Sequence, residues 1–121
     1  MAGSPSRLTL AFSAMQYGAY RRFAREHPGR YAATVRAPAP GDDRHAAAAG
    51  RVLRPLLAML DGYGLAGDDA VDAVRSLRAA LHGFVVLENS GGFGLPRDVT
   101  RSFNRLVDAL DHALGTWPRG D

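Results

Sequence analysis

The chain has no cysteine, no lysine, no block of like charges and no long apolar run, and each absence removes a class of function. Without cysteine there is no disulfide framework, no thiolate zinc site and no cysteine nucleophile, so the zinc-finger routes to DNA are closed. All fifteen basic residues are arginine, which reads as the bias of a GC-rich genome rather than a functional mark. The net charge of +3 is small, and the acids are interspersed with the arginines, so there is no basic arm of the kind that tracks nucleic acid. The apolar run Phe84 to Leu87 falls far short of the roughly 18 residues a membrane span needs. The N-terminus also lacks the pattern of a signal peptide. The expectation is a soluble, cytoplasmic protein with no membrane partner. At 121 residues it is one domain with a core of ordinary size.

What is present is helical periodicity, and the fold class expected is all-α with five helices. Residues 1–7 read as a flexible leader and 8–117 as the domain. Leu8, Phe12, Met15, Ala19 and Phe23 recur at helical spacing, and Leu10, Tyr17, Tyr20 and Ala24 form a second apolar face, which predicts a first helix buried on more than one side. Pro28 ends it and opens a short helix to about Arg36. Asp42 and Asp43 cap a third helix with core face Ala49, Leu53, Leu56, Leu57 and Leu60, kinked at Pro55 and stopped by Gly62 and Gly64. Asp68 and Asp69 cap the fourth. Its large face is Val74, Leu77, Leu81, Val85 and Glu88; its small face is Ala73, Ser76, Ala80, Gly83 and Leu87. The fifth helix opens at Pro96 with Asp98 in its first turn, and carries Val99, Phe103, Leu106, Leu110, Leu114 and Trp117 on one side. On its other side Arg105 with Asp108, or Asp98 with Arg101, can pair across a turn.

Among candidate sites, His82 and Glu88 stand where leucine or valine would serve a core. Six residues apart on a helix, they are turned about 120° from each other, which rules out a shared metal-ligand face. Two readings remain: a hydrogen-bonded histidine with a partly exposed or capping glutamate, or one of the two touching a small ligand. The four histidines His27, His45, His82 and His112 fall on separate helices or their ends, with no metalloprotease motif, nucleophile elbow or phosphate loop. No catalytic residue, cofactor or metal is expected. Phe12, Met15, Tyr17, Tyr20, Phe23 and Tyr31 gather in the first two helices. Three of these carry hydroxyls needing partners if buried, so they suit either plain core or an apolar cavity with polar handles. The small-residue face followed by a long apolar stripe suits a four-helix interface made by two copies through the last two helices.

The segments Tyr20-Arg-Arg-Phe-Ala-Arg-Glu-His-Pro-Gly-Arg-Tyr31, Leu77-Arg-Ala-Ala-Leu-His-Gly-Phe-Val-Val-Leu-Glu88, Gly91-Gly-Phe93 and Phe103-Asn-Arg-Leu-Val-Asp-Ala-Leu110 together resemble the C-terminal regulatory domain of TetR-type transcriptional repressors. More narrowly they are similar to a subgroup named for a Trp-His-Gly signature. His82 and Gly83 fall on that signature, while Leu77, Arg78 and Ala79 stand where its tryptophan is expected. The resemblance implies a small, mostly apolar effector held by Phe12, Met15, Tyr17, Tyr20, Tyr31, Leu57, Leu60, Leu81, His82, Val85 and Glu88. It implies a homodimer through Ala80, Gly83, Leu87, Phe103, Leu106, Leu110, Leu114 and Trp117. DNA would be reached only through a helix-turn-helix segment for which this sequence shows no counterpart. The alternative is a helical protein-interaction module with a filled core and no ligand.

Overall fold

The computed structural model describes residues 5–119, so Met1 to Ser4 of the expected leader lie outside the described residues. Within them are five helices and no strand: α1 (Arg7–Glu26), α2 (Pro28–Ala33), α3 (Asp43–Gly62), α4 (Gly67–Asn89) and α5 (Val99–Gly115). The central element is α1, which packs against all four others; α3 and α4 also pack on each other, and α5 rests on α1 and α4. No helix among the described residues is long and apolar enough to cross a membrane.

The helix ends follow local chemistry. The Ser6 hydroxyl accepts from the Thr9 amide at 3.1 Å and caps α1, so the last two residues of the expected leader belong to the helix start. Pro28 opens α2 as expected, but α2 stops at Ala33 and not near Arg36. There the Thr34 hydroxyl donates to the Tyr31 carbonyl at 2.7 Å and closes the turn. Asp42 caps α3 through the His45 amide, and α3 runs unbroken through Pro55. Both α3 and α4 end at a glycine with φ of 69°, Gly64 and Gly91, a backbone that glycine alone adopts without strain. The following amides reach back, Leu65 to the Leu60 carbonyl at 3.0 Å and Gly92 to that of Leu87 at 2.7 Å, closing two Schellman motifs.

Two helix starts differ from expectation. Behind Ala66, α4 begins with no side-chain cap, and Asp68 and Asp69 lie in its first turn, where they interact with the positive end of the helix dipole. Conversely, Asp98 sits outside α5 as its cap, accepting from the Arg101 amide at 3.0 Å, and Pro96 precedes the helix altogether. Nor do the expected ion pairs on α5 form: the one ion pair among the described residues is Arg21–Glu88.

Burial also sorts the faces. Ala73, Val74, Leu77, Leu81 and Val85 of α4 are buried, the large expected face as far as Val85 together with the first small residue, while Glu88 is half-buried. On α3 the buried residues are Leu56, Met59 and Leu60, while Leu57 is more than a third exposed; Met59 takes the place expected for Leu57. The first helix departs most. Only Ser13, Tyr17, Tyr20, Arg21 and Ala24 are buried, whereas Leu8 is 83% and Met15 61% exposed. α1 is therefore not enclosed on both apolar faces, because no described element covers the first half of its outer one. Full burial of a side chain such as Leu77 or Leu81 contributes about 2 kcal/mol, so α4 anchors the core that α1 threads.

Candidate functional site

Three helices bring their polar side chains together at one point. Tyr20 of α1 and Tyr31 of α2 are in hydroxyl contact at 2.5 Å, and the Tyr31 hydroxyl lies 2.7 Å from Nδ1 of His82 on α4. The two phenol rings meet edge to face with centroids 5.5 Å apart, the geometry favoured by the aromatic quadrupole. Burial raises both phenols above their ordinary range, Tyr31 the more strongly. The two hydroxyls therefore stay neutral, and when Nδ1 is unprotonated each donates onward toward His82.

Beside this chain the surface is concave. Three clefts of about 230, 250 and 430 Å³ adjoin one another and share Val52 of α3. Tyr20, Tyr31 and His82 line the second; Phe23, Pro55 and Leu56 provide apolar wall in the neighbouring ones. An apolar hollow with a few convergent polar groups is the usual form of a small-molecule site.

A second polar cluster joins α1, α4 and the start of α5, at the edge of a groove that Arg21 itself helps to line. Arg21 donates to both carboxylate oxygens of Glu88, at 2.9 and 2.6 Å, and to the Thr100 hydroxyl at 3.2 Å. Its guanidinium carbon also lies 5.0 Å from the Phe103 ring centroid and 6.0 Å from that of Phe84, within cation–π reach. The Arg21 hydrogen bonds hold the Glu88 carboxyl below the usual carboxylate range. A groove of about 610 Å³ runs past this pair between α1 and α5, lined in part by Arg22, Arg25 and Glu26. Larger than the clefts at Val52, it lacks their neutral buried hydroxyls.

The third cluster joins α1, the end of α3 and α5. Tyr63 donates to Asp111 at 2.7 Å and contacts the Ser13 hydroxyl at 3.3 Å, and Asp111 is half-buried. Desolvation pushes its carboxyl above the ordinary range. Tyr17 lies close by, fully buried, with no partner for its hydroxyl among the described residues. Arg119 completes this end by donating to the Gly64 and Tyr63 carbonyls at 2.6 and 2.9 Å, satisfying the carbonyl end of α3. No group of three potential metal ligands occurs among the described residues.

Of the residues expected to hold an effector, the structure assembles Tyr20, Tyr31 and His82. Tyr17, Leu60, Leu81 and Val85 are buried in the core; Phe12 and Leu57 are each 37% exposed and Met15 more so. Glu88 lies in the Arg21 cluster. Of those expected at a dimer interface, Phe103 and Leu114 are buried within the chain, Ala80, Gly83, Leu106, Leu110 and Trp117 are half-buried, and Leu87 is 48% exposed. Sequence reasoning missed Val52, Thr34, Arg75 and Arg78, which line the clefts, and Arg21. For Arg21 a signal existed: it falls on the buried register Ser13, Tyr17, Tyr20, Ala24, where a charge requires a partner.

Comparison with known proteins agrees with this architecture. Residues 14–110 match the family described as tetracyclin repressor-like, C-terminal domain. A protein of Mycobacterium tuberculosis, the uncharacterized HTH-type transcriptional regulator Rv0681, is 49% identical over 75 residues, covering 61% of this chain and 34% of that protein. The matched stretch thus spans about a third of the relative's length. Neither finding speaks for the narrower Trp-His-Gly subgroup. An all-helical core around a central α1, matched over most of its length by one domain family, settles the affiliation: the chain belongs to the C-terminal domains of TetR-family transcriptional regulators, a family of regulators and not of enzymes.

Proposed function

We propose that this domain senses a small, mostly apolar molecule in the clefts among α1–α4 and pairs with a second copy of itself through α4 and α5. Within a longer chain carrying a helix-turn-helix, ligand occupancy would then govern operator binding. One observation carries the sensing role: a hydrogen-bonded chain from three helices, Tyr20–Tyr31–His82, forms part of the wall of a hollow with mostly apolar surface. A ligand that exchanged partners with this chain would shift α1, α2 and α4 together. The name of the Mycobacterium tuberculosis relative supports the DNA arm. Pairing is supported by Val86 and Leu87 on α4 and by Phe93 just after it, each about two-fifths or more exposed, a concentration of apolar surface that favours association.

A thermal-shift screen with apolar small molecules tests the sensing role. A binder raises the melting temperature in proportion to the logarithm of its concentration, and Val52→Trp, which fills the junction of the clefts, abolishes that rise. A screen in which wild type and Val52→Trp respond alike would end this reading. For pairing, sedimentation at tens of micromolar should give a dimer for wild type and a monomer for Leu87→Arg, whose side chain already reaches solvent and so leaves the fold intact.

A further inference from the structure

The residues around the three clefts have a charge pattern that apolarity alone does not explain. Arg30, Arg51, Arg75 and Arg78 line them, and no aspartate or glutamate does so among the described residues. In a chain with twelve acids against fifteen arginines, four cations without an acid around one hollow is a local segregation of charge. The groove between α1 and α5 shows the contrast: there Glu26 lines the wall beside Arg22 and Arg25, and Arg21 is neutralised by Glu88. None of the four cleft arginines forms an ion pair among the described residues. Arg78, half-buried, makes one long hydrogen bond, 3.4 Å to the Val35 carbonyl.

We propose that the clefts bind an amphipathic organic anion, an aryl or acyl carboxylate, with its apolar body against Val52 and its charged head between Arg75 and Arg78. This rests on the sensing role above and specifies its ligand. A guanidinium offers a carboxylate two parallel hydrogen bonds, and a concave low-dielectric wall concentrates the field of cations that line it. The body of the ligand gains from leaving water in proportion to its apolar area. Tyr31 and His82 lie in the same cleft as Arg75 and Arg78, so the head group is also within the reach of a neutral hydroxyl donor.

The test uses two fluorescent probes of one shape, anilinonaphthalene sulfonate and its uncharged parent phenylnaphthylamine, titrated into the full chain. The sulfonate should bind about tenfold more tightly than the parent, and Arg75→Gln and Arg78→Gln should each weaken it about fivefold while changing the parent less than about twofold. Arg22→Gln removes the same charge from the other groove and should leave both probes unchanged. Equal binding of the two probes in wild type, both lost in Val52→Trp, would overturn the anion assignment and leave the cavity standing. Equal weakening by Arg22→Gln and Arg78→Gln would overturn it as a general charge effect. Saturable binding of neither probe, with Val52→Trp indistinguishable from wild type, would remove the cavity and the sensing role with it.

Discussion

Tyr20 and Arg21 are neighbours on α1, yet they lead into polar clusters of opposite character. Tyr20 turns toward α2 and α4 and enters a chain of hydroxyls that ends at His82 beside the clefts. Arg21 turns toward the last turn of α4 and enters a charge pair with Glu88, secured by Thr100 and two aromatic rings. The same division recurs on α4, where His82 and Glu88 are six residues apart and serve different clusters. In the charged cluster both carboxylate oxygens and three guanidinium nitrogens are occupied. In the neutral one the chain borders open space and retains acceptor and donor capacity. A satisfied charge pair fastens three helices at one position, since separating it leaves a mostly buried guanidinium without its counter-charge. A neutral chain on a cavity wall exchanges partners at small cost, because each hydrogen bond given up can be replaced by one to a ligand.

The charged cluster is the costlier of the two to disrupt. Glu88→Ala leaves the nearly buried Arg21 guanidinium without its counter-charge, and the expected loss is about 3 kcal/mol, read from the urea midpoint. A loss below about 1 kcal/mol would mean the pair behaves like a solvated surface pair. Acid titration sharpens the point. Because Arg21 lowers the folded-state value for Glu88, its contribution is complete above the unfolded value of about 4.3 and is lost as pH falls through the lowered folded one. The stability gap between wild type and Glu88→Gln should be constant from about pH 5 to 8 and should close on further acidification.

At the neutral cluster, Tyr31→Phe removes the middle of the chain and strands the Tyr20 hydroxyl and Nδ1 of His82. The expected loss is about 2 kcal/mol, measured by calorimetry. The smallest effect, and the sharpest control, is the same substitution at Tyr17. Its hydroxyl is fully buried without a partner among the described residues, so Tyr17→Phe should lie between neutral and a gain of about 1 kcal/mol. A loss as large as that of Tyr31→Phe would show that burial of a phenol, and not its place in the chain, sets the cost.

Much of the helical plan was legible in the sequence. Pro28, the Asp42 cap and Gly64 after α3 act through the backbone conformation or short-range hydrogen bonding of single residues, and those preferences operate before any packing. The large face of α4 was legible for a related reason, since one side of that helix is plainly larger and more apolar than the other. The faces of α1 were not, because both are apolar and the choice between them depends on which neighbours arrive. Asp98 and the pair Asp68 and Asp69 show the same limit at helix ends: an acid near a start suits either a cap or a first turn, and the approaching chain decides which.

The candidate site divides likewise. Tyr20, Tyr31 and His82 could be singled out as side chains with polar atoms on helices rich in apolar positions. That they meet depends on α2 folding back to place Tyr31 between α1 and α4, which no spacing within one helix encodes. The pairing of Arg21 with Glu88 joins residues 67 positions apart, and the cation lining of the clefts combines arginines from α2, α3 and α4. By itself the sequence determined the helices, most of their stops and the all-α class, because these follow from side-chain period and local backbone preference. Only the tertiary structure decided which face of α1 is buried, which charge is neutralised and which surround a hollow, because each depends on distances between helices that are distant along the chain.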